Sequence, residues 1–125
     1  MTQPERRVVF VCEHGAFRSR IAAAYFNSAA PLGWSALSAG VTPQTGVSPR
    51  LVPLMTGTGV EEHVDEGPPC SLIGLPAARV IAIDVVVPGV ETWRTTNATT
   101  DVELRDEINE RVARLVAEVE GRPAL

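Results

Sequence analysis

The chain has 125 residues, a net charge of −4 and an apolar fraction of 45%. This length predicts one compact domain over residues 1–125, able to bury a core without disulfides or metals. The apolar fraction argues against disorder. The acidic balance argues against nucleic acid as a partner, because binding a phosphate backbone requires a basic surface. Any anion must therefore be held locally, by a few donors in a pocket.

Export and membrane signals are not expected from this sequence. The amino-terminal apolar run is too short for a signal peptide, and no segment reaches transmembrane length. The two cysteines, Cys12 and Cys70, do not make a disulfide framework. We therefore expect a cytoplasmic protein without a membrane partner.

The first half of the chain alternates predicted strands and helices. Arg7–Cys12 is an apolar, β-branched run that predicts a strand buried on both faces. Ser19–Ala30 is rich in alanine and predicts a helix, which Pro31 and Gly33 end. Trp34–Ala39 predicts a second strand.

The second half continues this alternation. Ser48-Pro49 is typical of a helix start, and this helix should run through Met55 with a kink at Pro53. Residues 60–76 predict a loop. Three further elements follow: strands over Arg79–Val87 and Val90–Trp93, and a helix that begins with the capping-box spacing Thr100–Glu103. The expected fold is an α/β domain, with a four-stranded parallel sheet and helices on both faces.

The segment Cys12–Ser19 carries the functional prediction. It begins where a buried strand ends and stops where a helix begins, and ligands of open α/β sheets bind at the carboxyl ends of strands. A loop that enters a helix presents backbone N–H groups and a partial positive charge, which suit a tetrahedral oxyanion. We expect this oxyanion to be bound by the loop residues Glu13, His14, Gly15, Ala16, Phe17 and Arg18.

Three side chains of this segment suit nucleophilic catalysis. The loop N–H groups and the Arg18 guanidinium favour the thiolate form of Cys12. Arg18 can grip two oxyanion oxygens in a bidentate way. Ser19 can donate a hydrogen bond to the sulfur, which stabilises it as nucleophile and leaving group. The alternative is a structural cysteine with a chance Arg-Ser at these offsets, a coincidence of about one in a hundred.

The C-x5-R-S motif after an amino-terminal strand resembles the low-molecular-weight protein tyrosine phosphatase superfamily, which includes arsenate reductases. The resemblance covers nearly the whole chain, and further matches lie at Ala22–Ala24, Ser38–Gly40 and Arg105–Ile108. The segment His14–Ala16 is similar to the reductase pattern His-Asn-Ala, with Gly15 in the position of the asparagine.

The resemblance implies a general acid, an aspartate shortly after the last strand. Counting from Trp93, the matching residue is Asn97, which cannot donate a proton to a leaving group. Asp101 is the nearest substitute, although an acidic residue also suits the first turn of a helix. Asp84, at the end of a predicted strand, could face the pocket or simply end the strand.

The resemblance also bears on Cys70. Thioredoxin-coupled arsenate reductases place two more cysteines after the strand that corresponds to Arg79–Asp84, and this chain has none there. Cys70 precedes that strand, so a loop thiol without a role is favoured over a resolving cysteine. His14 and His63 do not form a metal-ligand pattern with the cysteines. We expect neither a metal nor another cofactor.

Three functions are therefore considered. The first is a phosphatase with a covalent Cys12 intermediate. The second is an arsenate reductase that uses Cys12 and an external small thiol. The third is a non-catalytic binder of oxyanions or phosphoryl groups. The expected partners are phosphate, arsenate or a phosphorylated substrate, with a small-thiol reductant in the second case. Phe17 and Trp34 are expected near the mouth of the pocket.

Overall fold

The computed structural model describes residues 6–95 and 97–121. Four strands and three α-helices form its regular structure. The strands are β1 (Arg7–Cys12), β2 (Ser35–Gly40), β3 (Arg79–Ile83) and β4 (Glu91–Trp93). The helices are α1 (Arg18–Ala29), α2 (Leu51–Met55) and α3 (Asp101–Val119), and a short 3-10 helix spans Glu61–His63.

All strands of the sheet are parallel, in the order β2-β1-β3-β4. The first pair runs in register from Arg7 opposite Ser35 to Cys12 opposite Gly40. The predicted four-stranded parallel sheet is thus confirmed. Because β1 is central, its carboxyl end brings Cys12 to the middle of one sheet edge.

The two faces of the sheet are covered differently. Val8 and Phe10 belong to a core cluster that includes residues of all three α-helices. Val9 and Val11 point to the other face, and the apolar residues packed there come from positions 72–90. In the described chain these covering segments are irregular, so the expectation of helices on both faces is wrong for this face. Pro68, Pro69, Gly74 and Pro76 explain this, because such residues disfavour a helix in the crossover.

Strand β3 ends four residues before the predicted boundary. Asp84 has φ 54°, in the left-handed region, and leaves the extended conformation. Its N–H donates to the Trp93 carbonyl (2.9 Å), which fixes the turn against β4. Val85 and Val87 are apolar because they cover the second face of the sheet, which explains why the strand pattern appeared to continue.

Helix α3 begins as its sequence predicts. The Thr100 side chain accepts from the Glu103 N–H (3.1 Å), as in a capping box. The Glu103 carboxylate accepts from the N–H and the hydroxyl of Thr99 (both 2.8 Å). These hydrogen bonds, the backbone one first, lower the pKa of Glu103. Within the described residues, no helix is both long and apolar enough to cross a membrane.

Candidate active site

The loop between β1 and α1 is held by its carbonyl groups. Four of them accept N–H groups of the segment that follows β2. The pairs are Val41 to Cys12 (3.0 Å), Thr42 to Glu13 (2.7 Å), Gln44 to His14 (3.2 Å) and Ser48 to Ala16 (2.9 Å). Across the described chain, the N–H groups of residues 13–17 donate to no backbone carbonyl. The loop amides are therefore without backbone acceptors, an arrangement that is compatible with an oxyanion cradle.

Gly15 and Gly40 bring the loop and the end of β2 together. Gly15 has φ 66°, and a Cβ atom there would lie 2.8 Å from the Gly40 backbone nitrogen. A Cβ atom on Gly40 would lie 2.6 Å from the His14 carbonyl carbon. No side chain fits in this contact, which explains the glycine in the loop. Gly15 is buried under the loop and is not among the residues that line the cavity.

A cavity of about 150 Å³ opens at Cys12. It is lined by Cys12, Glu13, His14, Ala16, Phe17, Arg18, Gln44, Ser48, Arg50, Ile83 and Asp84. Cys12 is 5% exposed, and its Sγ lies 3.2 Å from Oγ of the fully buried Ser19. The thiol donates in this contact, and a thiolate would accept from the hydroxyl. The predicted contact between Cys12 and Ser19 is thus present.

Arg18 is fixed by a carboxylate that enters from β3. Its Nε lies 3.0 Å from Oδ2 of Asp84, in an ion pair that is not aligned as a hydrogen bond. Asp84 is itself held by Thr95, whose N–H donates to Oδ1 (2.8 Å) and whose hydroxyl donates to Oδ2. Asp84 therefore faces the pocket and orients the arginine. With both oxygens engaged, it is a poor candidate for the missing proton donor.

A second arginine that was not singled out from the sequence reaches the cavity. The Arg50 guanidinium lies 4.3 Å from the centre of the Phe17 ring and 3.2 Å from Asp101. Phe17 lines the cavity as predicted. Ser48-Pro49-Arg50 precedes α2, and only the folding of this segment over the loop places Arg50 there. A basic residue after a helix start gives no such signal in the sequence.

Of the two acid positions after β4, the described contacts bring only Asp101 next to a residue that lines the cavity. Asp101 is the first residue of α3, and its pairing with Arg50 brings it beside the cavity, although it is not a lining residue. Asn97 is exposed and is also not a lining residue. The expectation for Trp34 was wrong, because it precedes β2 at the amino end of the sheet. The loop lies at the carboxyl end, about 15–20 Å away.

Cys70 lies beyond the edge of the sheet. Gly40 pairs with Cys12 on one side and forms a bridge to Ser71 on the other. The chain at Cys70 is therefore about two strand spacings, about 9–10 Å, from Cys12. A disulfide requires Cα atoms about 4.4–6.8 Å apart, so the two cysteines are not placed to form one. Cys70 is exposed, and its thiol donates to the Ser38 carbonyl (3.4 Å).

Alkylation provides a test of the nucleophile. As the proposed nucleophile of the motif, Cys12 should react with iodoacetamide faster than the more exposed Cys70 near neutral pH. Inorganic phosphate should slow the reaction of Cys12 and leave that of Cys70 unchanged. Peptide mass spectrometry measures both rates in one sample. Equal rates without phosphate protection would show that this cavity is not an oxyanion site.

Sequence comparisons with protein-family models and with curated proteins give no match. Solved structures are similar over most of the chain. A thioredoxin-dependent arsenate reductase of Corynebacterium glutamicum is 25% identical with a TM-score of 0.78, and the match covers 98% of this chain and 66% of that one. An arsenate reductase of Archaeoglobus fulgidus is 28% identical with a TM-score of 0.69, covering 88% and 98%.

An arginine phosphatase of Geobacillus stearothermophilus has a TM-score of 0.72 at 21% identity, and the match covers 93% of this chain and 94% of that one. At this identity the similarity concerns the fold. The chain has the fold shared by low-molecular-weight protein tyrosine phosphatases and arsenate reductases, and these similarities support a place in that superfamily. This relationship supports a cysteine-dependent enzyme that handles an oxyanion.

Proposed function

We propose that the protein is a phosphatase-like enzyme that acts on a phosphate-type oxyanion through a covalent Cys12 intermediate. The observation that carries this proposal is the arrangement of the loop over residues 12–18. Four of its carbonyls accept N–H groups of the segment after β2, and its amides have no backbone acceptors among the described residues. Cys12 and Arg18 line one cavity.

The proposed reaction has two steps. In the first, the Cys12 thiolate attacks phosphorus, an S–P bond forms, and the ester P–O bond breaks as the alcohol leaves with a proton. In the second, water attacks phosphorus and breaks the S–P bond, which releases phosphate and the thiolate. Arg18 and the loop amides bind the oxygens in both steps. Ser19 supports the sulfur as it leaves.

The arsenate reductase alternative uses the same cradle. Cys12 attacks arsenate and displaces water, an external thiol then attacks the Cys12 sulfur, and the S–As electron pair passes to arsenic. Arsenite leaves, a mixed disulfide forms on Cys12, and a second thiol restores the enzyme. Two observations favour this route. The cavity, at about 150 Å³, suits a small oxyanion, and of the two carboxylates that line it, Asp84 is engaged by Arg18 and Thr95 while Glu13 is exposed.

The third candidate is a binder without turnover. It would need the cradle and Arg18, but not a thiol at position 12, and for this reason an active enzyme is preferred. Both reactions require reduced Cys12, so a reducing cytoplasm is the compartment that we propose.

Paired turnover assays distinguish the three candidates. One arm uses an aryl phosphate, and the other uses arsenate with either a small thiol or thioredoxin. Phosphate release alone supports the phosphatase, and arsenite formation with thiol oxidation alone supports the reductase. Oxyanion binding without turnover in either arm contradicts an enzymatic function and supports the binder.

Substitutions at Asn97 and Asp101 test the general acid. Asn97→Asp should raise the rate on phenyl phosphate, a poor leaving group, because general acid catalysis is typically worth about 10²–10⁴-fold. Asp101→Asn should change this rate little, since Asp101 is paired with Arg50. An activated aryl phosphate, whose leaving group needs little protonation, is the control substrate. If Asp101→Asn abolishes turnover of phenyl phosphate, Asp101 is the acid and the arsenate reductase alternative loses its support from the lack of an acid.

A further inference from the structure

A buried arginine lies directly beneath the loop. Arg20, in the first turn of α1, is 2% exposed and is among the largest fully buried side chains of the described core. Its Nε donates to the Gly15 carbonyl (2.7 Å), and its Nη1 donates to the Asp65 carbonyl (2.5 Å). Burying a guanidinium is costly unless hydrogen bonds and an opposite charge compensate it. A core position of this kind would ordinarily be apolar.

The Gly15 bond completes the engagement of the loop carbonyls. Cys12, Glu13, His14 and Ala16 present theirs to backbone N–H groups of the segment after β2. The remaining carbonyl in this run, that of Gly15, is met by the Arg20 side chain. A peptide unit has its N–H and C=O on opposite sides, so fixing this carbonyl fixes the direction of the next amide, that of Ala16. Ala16 lines the cavity.

The charge of Arg20 is only partly compensated. The nearest carboxylate oxygen, Oδ1 of Asp65, lies 3.8 Å from Nη1, and the Asp65 side chain is 68% exposed. Solvent therefore screens the carboxylate more than it screens the buried guanidinium. The uncompensated positive charge acts on the loop at the centre of its curl. Its effect is favourable for a bound anion.

We propose that Arg20 is a positioning residue of the oxyanion site, which holds the Ala16 amide toward the ligand and adds positive potential beneath the loop. The inference rests on the proposed oxyanion function, except for its claim that Arg20 holds the conformation of the loop, which applies without a ligand. The hydrogen bond from Arg20 also explains how the loop keeps its conformation with glycine in the position of the asparagine. Arg20 does not line the cavity, so it acts through the loop and not on the substrate.

The test compares Arg20→Met and Arg20→Lys with the wild-type protein. Methionine fills similar volume without a donor, while lysine keeps the charge but cannot reach both carbonyls with one ammonium group. Two quantities are measured: hydrogen exchange of peptides covering residues 13–17 without ligand, and the inorganic phosphate concentration that half-protects Cys12 from alkylation. Thermal unfolding reports stability. Arg114→Met on the exposed surface of α3 is the matched control.

Arg20→Met should speed exchange in the loop and raise the half-protecting phosphate concentration at least about tenfold. Arg20→Lys should partly restore the protection, and Arg114→Met should behave as wild type. Wild-type exchange and protection in folded Arg20→Met would overturn the proposal. If Arg20→Met does not fold, Arg20→Lys decides, and wild-type values in that variant overturn it. If phosphate fails to protect the wild-type protein, the proposed function fails, whereas loop exchange still tests Arg20.

Discussion

Cys12→Ser should abolish turnover, with a loss of at least about 10⁴-fold, because the covalent step has no other nucleophile. Within the described chain the side-chain hydrogen bond of Cys12 is to the Ser19 hydroxyl and not to a base, so a serine at position 12 would not be activated through it. The cradle itself is built from backbone groups and Arg18, so phosphate binding should persist. Steady-state rates in the paired assay and calorimetric titration with phosphate measure the two effects separately.

Cys70→Ser is the matched control for this substitution. Cys70 is exposed and lies one chain segment beyond β2, so both turnover and phosphate binding should remain at the wild-type level. Mass spectrometry after acid quenching should find a phosphoryl adduct on Cys12 in the wild-type protein. Turnover that survives in Cys12→Ser would contradict the covalent mechanism. Loss of arsenate reduction in Cys70→Ser would instead assign Cys70 a role in resolving the Cys12 intermediate.

Arg18→Lys should weaken phosphate binding about 10–100-fold, or about 1.4–2.8 kcal/mol, although the positive charge is kept. The guanidinium can meet Asp84 on one side and present a planar pair of donors to an oxyanion on the other. An ammonium group is a single point charge and cannot serve both partners. A lysine ammonium group that pairs with Asp84 would leave fewer fixed donors for the oxyanion. The phosphate concentration that protects Cys12 from alkylation measures the loss.

Arg114→Lys provides the comparison for Arg18→Lys. Arg114 is paired with Glu110 on the exposed side of α3, and exposed pairs contribute little to stability. This variant should bind phosphate as the wild type does. If Arg18→Lys also binds phosphate with unchanged affinity, the guanidinium does not contact the oxyanion, and its pairing with Asp84 would be only structural.

The sequence by itself determined the strand, the loop and the helix of the site. Arg7–Cys12 is uniformly apolar, and a strand of this kind must lie inside a sheet that is covered on both faces. The motif over Cys12–Ser19 follows directly, so its residues are neighbours in sequence, although the segment after β2 holds the loop that joins them. The capping of α3 at Thr100 was predictable for the same reason, because a cap is formed within one turn of chain.

The end of strand β3 was less predictable, because the apolar residues after it pack on the sheet without belonging to a strand. The apolar run after Ile83 continues because Val85 and Val87 cover the second face of the sheet, and not because the strand continues. The pattern of burial is the same in both cases, so hydrophobicity alone cannot distinguish them. For the same reason, the sequence did not reveal that an irregular crossover, and not a helix, covers this face.

The tertiary structure decided which distant residues complete the site. Asp84 reaches Arg18 because β3 lies beside β1, Arg50 reaches Phe17 because the segment after β2 folds over the loop, and Arg20 donates to the Asp65 carbonyl. Each of these side chains also has an ordinary interpretation as a strand end, a loop cation or an exposed helix residue. The sequence pattern determined the nucleophile and its anion loop because they are local, whereas contacts between segments dozens of residues apart arise only when the sheet brings those segments together.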